Sequence, residues 1–147
     1  TDEELPSPEV IDSFISAVKN IKKESWLHFH CKEGIGRTTS FMIFYDMMKN
    51  YNNASAQDII TRQIELLDFD DDDINVFTSE KRIDQYNSFY NYCKKYAPDF
   101  NTKYSVYINS WLSSAIQCIK IVDSLKIMFI FFRYFSKSSV VLILFSN

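Results

Sequence analysis

The chain has 147 residues, 46% hydrophobic and 16% aromatic, enough apolar side chain for one core of single-domain size. Its net charge of −3 argues against a general nucleic-acid surface, so any recognition of phosphate has to be local. The three cysteines, Cys31, Cys93 and Cys118, are odd in number and lack C-x-x-C spacing, which indicates neither a disulfide framework nor a zinc ribbon.

Residues 1–6 read as a loop. Ser7-Pro8-Glu9 then supplies a capping hydroxyl, a proline for the first turn and an acid at the positive pole, and Val10, Ile11, Phe14, Ile15, Val18 and Ile21 recur at helical spacing. A helix over about 8–22 is predicted. Lys19, Lys22 and Lys23 form its solvated face, or a basic rim that steers a polyphosphate. Trp26-Leu27-His28-Phe29-His30 reads as a short buried strand, and Phe41-Met42-Ile43-Phe44-Tyr45 with Met47-Met48 as a buried helix.

Between that strand and that helix lies His30-Cys31-Lys32-Glu33-Gly34-Ile35-Gly36-Arg37-Thr38-Thr39, which contains both glycines of the chain. Strand, tight glycine-bearing loop and helix start make an anion cradle: amides of residues 32–37 can point inward, and the positive end of the helix dipole adds to them. Cys31 stands where those amides and Arg37 favour its thiolate, which predicts a lowered pKa and a nucleophile at neutral pH. Arg37 offers a planar fork for two phosphate oxygens. Thr38 is placed to hydrogen-bond the thiolate, and His30 to brace the loop rather than to move protons. His28, His30 and Cys31 have no fourth partner at a usual zinc spacing. The chemistry described is attack of sulfur on a phosphate ester to give a cysteinyl phosphate; it requires no metal or other cofactor.

His-Cys-x5-Arg-Thr resembles the signature of the protein tyrosine phosphatase superfamily. The wider context, Thr1-Asp2…Pro6-Ser7-Pro8-Glu9, Ile11-Asp12, Phe14, Trp26 to Cys31 and Gly34-Ile35-Gly36-Arg37-Thr38-Thr39, more closely resembles the bacterial tyrosine-phosphatase-like inositol phosphatases, or cysteine phytases. The resemblance is strong over residues 1–50, can be followed to about Trp111 through Asp58-Ile59-Ile60, Arg62-Gln63 and Phe89-Tyr90, and is absent beyond. It implies that Asp2 is the general acid, that the amides of Lys32, Glu33, Gly34, Ile35 and Gly36 with Arg37 bind the phosphate, and that Gln63 orients the hydrolytic water; as a residue alone, Gln63 reads equally as an exposed helix glutamine. Where the family commonly carries His after the acid and Trp before the first proline, this chain has Glu3 and Leu5. The substrate implied is a phosphorylated small molecule, an inositol phosphate, with a phosphotyrosine protein as the alternative and a catalytically inactive phosphate-binding fragment as another.

After a loop over 51–54, Ser55-x-x-Asp58 predicts a capped helix through Ile59, Ile60, Gln63 and Leu67. Asp68-Phe69-Asp70-Asp71-Asp72-Asp73 reads as a solvated acidic loop without the glycine and terminal glutamate of a calcium loop. Ser79–Tyr96 is amphipathic, with Ile83, Tyr86, Phe89, Tyr90 and Cys93 on one stripe, Cys93 being a core residue and Pro98 lying past its end. Beyond Trp111 the composition shifts to apolar runs of no assigned role. Lys120, Asp123, Lys126, Arg133 and Lys137 interrupt them well short of the roughly 20 residues of a membrane span. The expected organisation is therefore a catalytic portion over 1–111 and an apolar tail over 112–147. The expected fold class is α/β: the C-terminal, helix-rich part of a tyrosine-phosphatase-type fold, with one central strand, a phosphate-binding loop and a helical bundle, lacking upstream strands. No localisation is read from an end that opens on Thr1.

Overall fold

The computed structural model describes residues 5–22, 25–31, 36–66, 74 and 78–114. The chain divides into two compact units, Thr1–Ile108 and Asn109–Asn147. In the second, the described residues 109–114 are helical and exposed. The first unit is built from α1 (Pro8–Lys19), α2 (Gly36–Asn50), α3 (Ala56–Glu65) and α4 (Glu80–Tyr96), with further helix starting at residue 104.

Each helix begins where its local chemistry allows. The Ser7 hydroxyl accepts from the Val10 amide to start α1 with Pro8 in the first turn, and Ser55 and Asp58 close a reciprocal capping box on α3. The Asp58 amide donates to Ser55 Oγ at 3.1 Å, and the Ser55 amide donates to Asp58 Oδ2 at 3.2 Å. Helix α1 stops at Lys19, short of the expected residue 22. The Asn20 amide turns back to Ala17 and Val18 carbonyls, and Ile21 stays half-buried on the apolar periodicity without being helical. Helix α3 ends at Glu65 with Leu66 as its cap; Leu67 and the acidic run 68–73 lie outside the described residues.

Helix α2 is the axis of the unit. Thr38, Thr39, Ser40, Ile43, Phe44, Asp46, Met47 and Met48 are all buried, a distribution that wraps nearly the whole circumference rather than one stripe. It packs on both α3 and α4. Ile11, Ile15 and Val18 from α1, Ile59, Ile60 and Ile64 from α3, and Tyr86, Phe89, Tyr92 and Cys93 from α4 complete the core. Phe44 sits at its centre, fully buried, with its ring 4.6 Å from Phe89 and 5.7 Å from Tyr86, both in tilted or edge-on geometry. Asp12 of α1 holds the last helix of the unit: its Oδ1 accepts from the Tyr104 and Ser105 amides at 2.6 and 3.3 Å, and Oδ2 accepts from the Ser105 hydroxyl at 2.5 Å. A carboxylate from one helix thus caps the start of another.

The segment 26–30 differs from its expected form. It lies in neither a helix nor a β-ladder, because a strand exists only with a hydrogen-bonded neighbour and no other described segment provides one. Its side chains still alternate: Leu27, Phe29 and Cys31 are half-buried, while Trp26, His28 and His30 are exposed, Trp26 almost completely at 99%. The segment is therefore buried on one side rather than two. Phe29 anchors it, with ring centroids 6.2 Å from Phe14 and 5.7 Å from Tyr45.

Replacing Phe44 by alanine is expected to lower stability by about 3–5 kcal/mol, as a large buried ring surrounded by rings leaves a cavity that cannot collapse. The measurement is a urea titration, in which the midpoint falls while the slope is unchanged.

Candidate active site

Cys31 ends the one-sided segment and Gly36 opens α2, so the two ends of the predicted cradle are both placed by the core. Cys31, Arg37 and Thr38 line a single open cavity of about 500 Å³, together with His28, Phe29 and His30 from the segment, Val10 and Phe14 from α1, and Phe41 from α2. The nucleophile, the guanidinium, the hydroxyl and the bracing histidine expected from sequence are thus brought together. Lys32, Glu33, Gly34, Ile35 and Asp2 lie outside the described residues.

The electrostatics of the α2 start are unusual for a helix. Acidic side chains normally occupy the first turn, where they offset the positive pole; α2 has none there and presents Arg37 instead. Positive dipole and guanidinium therefore add at one place, in the wall of the cavity that holds the Cys31 thiol, and the arrangement suits an anion. Thr38 is buried, and its Oγ1 has no hydrogen-bond partner among the described residues. A buried hydroxyl left in that state costs about 1–3 kcal/mol. His30 is exposed, its ring edge-on to His28 at 5.6 Å. Cys93 contrasts with Cys31: it is completely buried in the core, and burial pushes its thiol up, away from the thiolate form.

Gln63 stands elsewhere. It lines a second cavity, of about 630 Å³, with Asp46, Asn50, Arg62 and Trp26, and its Nε2 donates to Asp46 Oδ2 at 2.8 Å. Arg62 donates to the same carboxylate from Nε at 2.7 Å and, in a very short contact, from Nη2; Asn50 Nδ2 adds a bond to Oδ1 at 2.7 Å. Phe29 borders both cavities. Burial pushes the Asp46 carboxyl up, but the hydrogen bonds from Arg62, Gln63 and Asn50 and the charge of Arg62 together outweigh it and hold the group below the usual aspartate range.

Two charged groups of the interior were not anticipated, Asp46 and Arg82. Asp46 interrupts the apolar run from Phe41 to Met48, and that interruption was its signal. Arg82, 3% exposed, occupies a core position on the stripe of α4, four residues before Tyr86 and seven before Phe89. Its Nη1 donates to Ser40 Oγ at 3.0 Å, just below the opening of α2.

Residues 1–49 match the PTP-like phytase family, whose description reads inositol hexakisphosphate. This chain is similar to the PTP-like phytases. The PTP-like phytase from Bdellovibrio bacteriovorus superposes with a TM-score of 0.63 at 34% identity, over 74% of this chain and 45% of that one. The PTP-like myo-inositol phosphatase from Mitsuokella multacida, solved in complex with myo-inositol-(1,3,4,5)-tetrakisphosphate, superposes at 0.62 with 33% identity, over 74% of this chain and 20% of that one. The effector protein hopD2 of Pseudomonas syringae pv. tomato is 38% identical over 84 residues, 56% of this chain and 18% of that protein. The chain thus spans less than half the length of each of these relatives, and its fold is a helix-rich part of the PTP-like phytase fold.

The Asp46 network generates a pH prediction. Because its carboxyl titrates lower in the folded chain than the roughly 3.9 of an unfolded aspartate, the stabilisation is complete above that value and is lost as pH falls through the lower, folded one. Asp46→Asn is expected to lose about 1–3 kcal/mol at pH 7 and to narrow its gap to the parent protein at pH 3 and below. Urea midpoints of the two proteins at both pH values provide the check.

Proposed function

We propose that this chain is the catalytic, helix-rich portion, over residues 1–111, of a cysteine-dependent phosphomonoesterase acting on inositol polyphosphates. The observation that carries the reading is the shared cavity of Cys31, Arg37 and Thr38 at the positively polarised end of α2. The likeness to PTP-like phytases, one of them solved with a bound inositol tetrakisphosphate, supports the choice of substrate class.

In the first step Cys31 Sγ attacks phosphorus as the ester P–O bond breaks. Asp2 gives its proton to the departing alkoxide, and a cysteinyl phosphate remains. The amides of residues 32–36 and the Arg37 guanidinium stabilise charge on the three non-bridging oxygens, where it is shared in the transition state. In the second step Asp2 takes a proton from water, whose oxygen attacks phosphorus; the S–P bond breaks, and inorganic phosphate leaves with the thiolate restored. Thr38 Oγ1, with its hydrogen uncommitted among the described residues, is the donor for that thiolate, steadying it as nucleophile and as leaving group. Gln63, bonded to Asp46, acts in this reading through the placement of α3 against α2.

Phosphate release is expected from inositol hexakisphosphate, in preference to a phosphotyrosine peptide assayed beside it. Cys31→Ser is expected to lower the rate at least about a thousandfold, since an alcohol of ordinary pKa replaces a thiolate. Retention of activity in Cys31→Ser would overturn the proposal, and release from the peptide alone would move it to protein substrates.

A further inference from the structure

We propose that Arg82 and Gln85, neighbouring residues on the first turns of α4, are positioning residues for that reaction: Arg82 sets the phosphate loop at Gly36, and Gln85 sets the stretch before α1 that follows Asp2. The inference rests on the function proposed above and names what holds the described residues that adjoin its two catalytic segments.

The Arg82 side follows from counting one hydroxyl. Ser40 Oγ lies 3.0 Å from Arg82 Nη1, 3.0 Å from the Tyr86 hydroxyl and 3.2 Å from the Gly36 carbonyl oxygen. A serine hydroxyl has one hydrogen and two lone pairs. Arginine can only donate and a carbonyl can only accept, so Arg82 takes one lone pair and the Gly36 carbonyl is open to the Ser40 hydrogen. The Tyr86 hydroxyl, hydrogen-bonded to Arg82 as well, shares a bond with Ser40 Oγ in which either oxygen can donate. Ser40 thus ties Arg82 and Tyr86 to the Gly36 peptide, last of the loop and first of α2, which is held by a bond beyond the helix ladder. A guanidinium 3% exposed also sets a fixed positive charge beneath the anion-binding end of α2. Methionine would fill that volume without the several kcal/mol of burying an ion.

The Gln85 side is a single long-range bond. Its Nε2 donates to the Pro6 carbonyl at 2.8 Å, across 79 residues of sequence. Pro6 lies four residues after Asp2, immediately before the capped start of α1. The Gln85 Oε1 is also buried, without a hydrogen-bond partner among the described residues. Positions 82, 85 and 86 share one face of α4. One helix therefore bonds to the first turns of α2 through Ser40 and to Pro6 ahead of α1.

The two roles separate by readout. Gln85→Met keeps the volume and removes the donor; it is expected to lower kcat about tenfold on inositol hexakisphosphate, whose alkoxide needs a proton, and to leave the first-turnover burst of 2,4-dinitrophenolate from 2,4-dinitrophenyl phosphate, whose leaving group needs none, within twofold. Arg82→Met is expected to raise the pH midpoint of Cys31 alkylation by iodoacetamide by about one unit, with Arg82→Lys restoring most of it. Ser40→Ala, which barely alters the core, is expected to shift the midpoint the same way by less and decides the matter if Arg82→Met fails to fold. A burst rate in Gln85→Met that falls as far as the rate on inositol hexakisphosphate, or an alkylation profile in Ser40→Ala and Arg82→Met that superposes on the parent's, overturns the proposal. A parent chain that hydrolyses neither ester removes the functional reading, while the alkylation profiles still test the brace on the loop.

Discussion

Helix α2 is embedded on nearly all sides, and its burial fixes the direction in which its first turn points. A surface helix with one apolar stripe can rock about that stripe. A helix whose residues 38–40, 43, 44 and 46–48 are all enclosed has no such freedom. Cys31 and Arg37 come to one cavity because the chain enters this helix at a position that the surrounding rings of Phe14, Phe41, Phe44 and Phe89 leave no room to change.

Two charged side chains then fasten that axis to its neighbours. Asp46, midway along α2, gathers Asn50 from its own helix and Arg62 and Gln63 from α3, and its carboxylate stays ionised because its partners outweigh the cost of burial. Ser40, near the start of α2, receives Arg82 from α4. The apolar core supplies most of the attraction, but apolar contact is tolerant of small slips along a helix. Hydrogen bonds to charged groups are not, and they set the register to which a phosphate-binding loop is sensitive.

Local chemistry was the legible part of the sequence. The caps at Ser7 and Ser55 act over three residues, and the Cys31-to-Arg37 spacing acts over six, so each could be read without knowing the fold. The boundary of α1 was read too far because Ile21 keeps the apolar rhythm after Asn20 has ended the helix. The segment 26–30 reads as a short buried strand, yet Trp26 is in water and only the alternate residues Leu27, Phe29 and Cys31 are half-buried. Arg82 stands at the correct spacing for the stripe of α4, yet a hydrophobic count passes over arginine. Its partner Ser40 is 42 residues away, and the Pro6 bonded by Gln85 is 79 away, separations that no pattern of neighbours encodes.

The missing acid in the first turn of α2 has an energetic corollary. An arginine in the first turn of α2, with a second arginine buried beside that turn, gathers positive charge at the positive pole of the helix. In the reading proposed above, an oxyanion seated there links occupancy of the site to cohesion of the fold. Inorganic phosphate alone would then raise the melting temperature with the logarithm of its concentration once the site begins to fill.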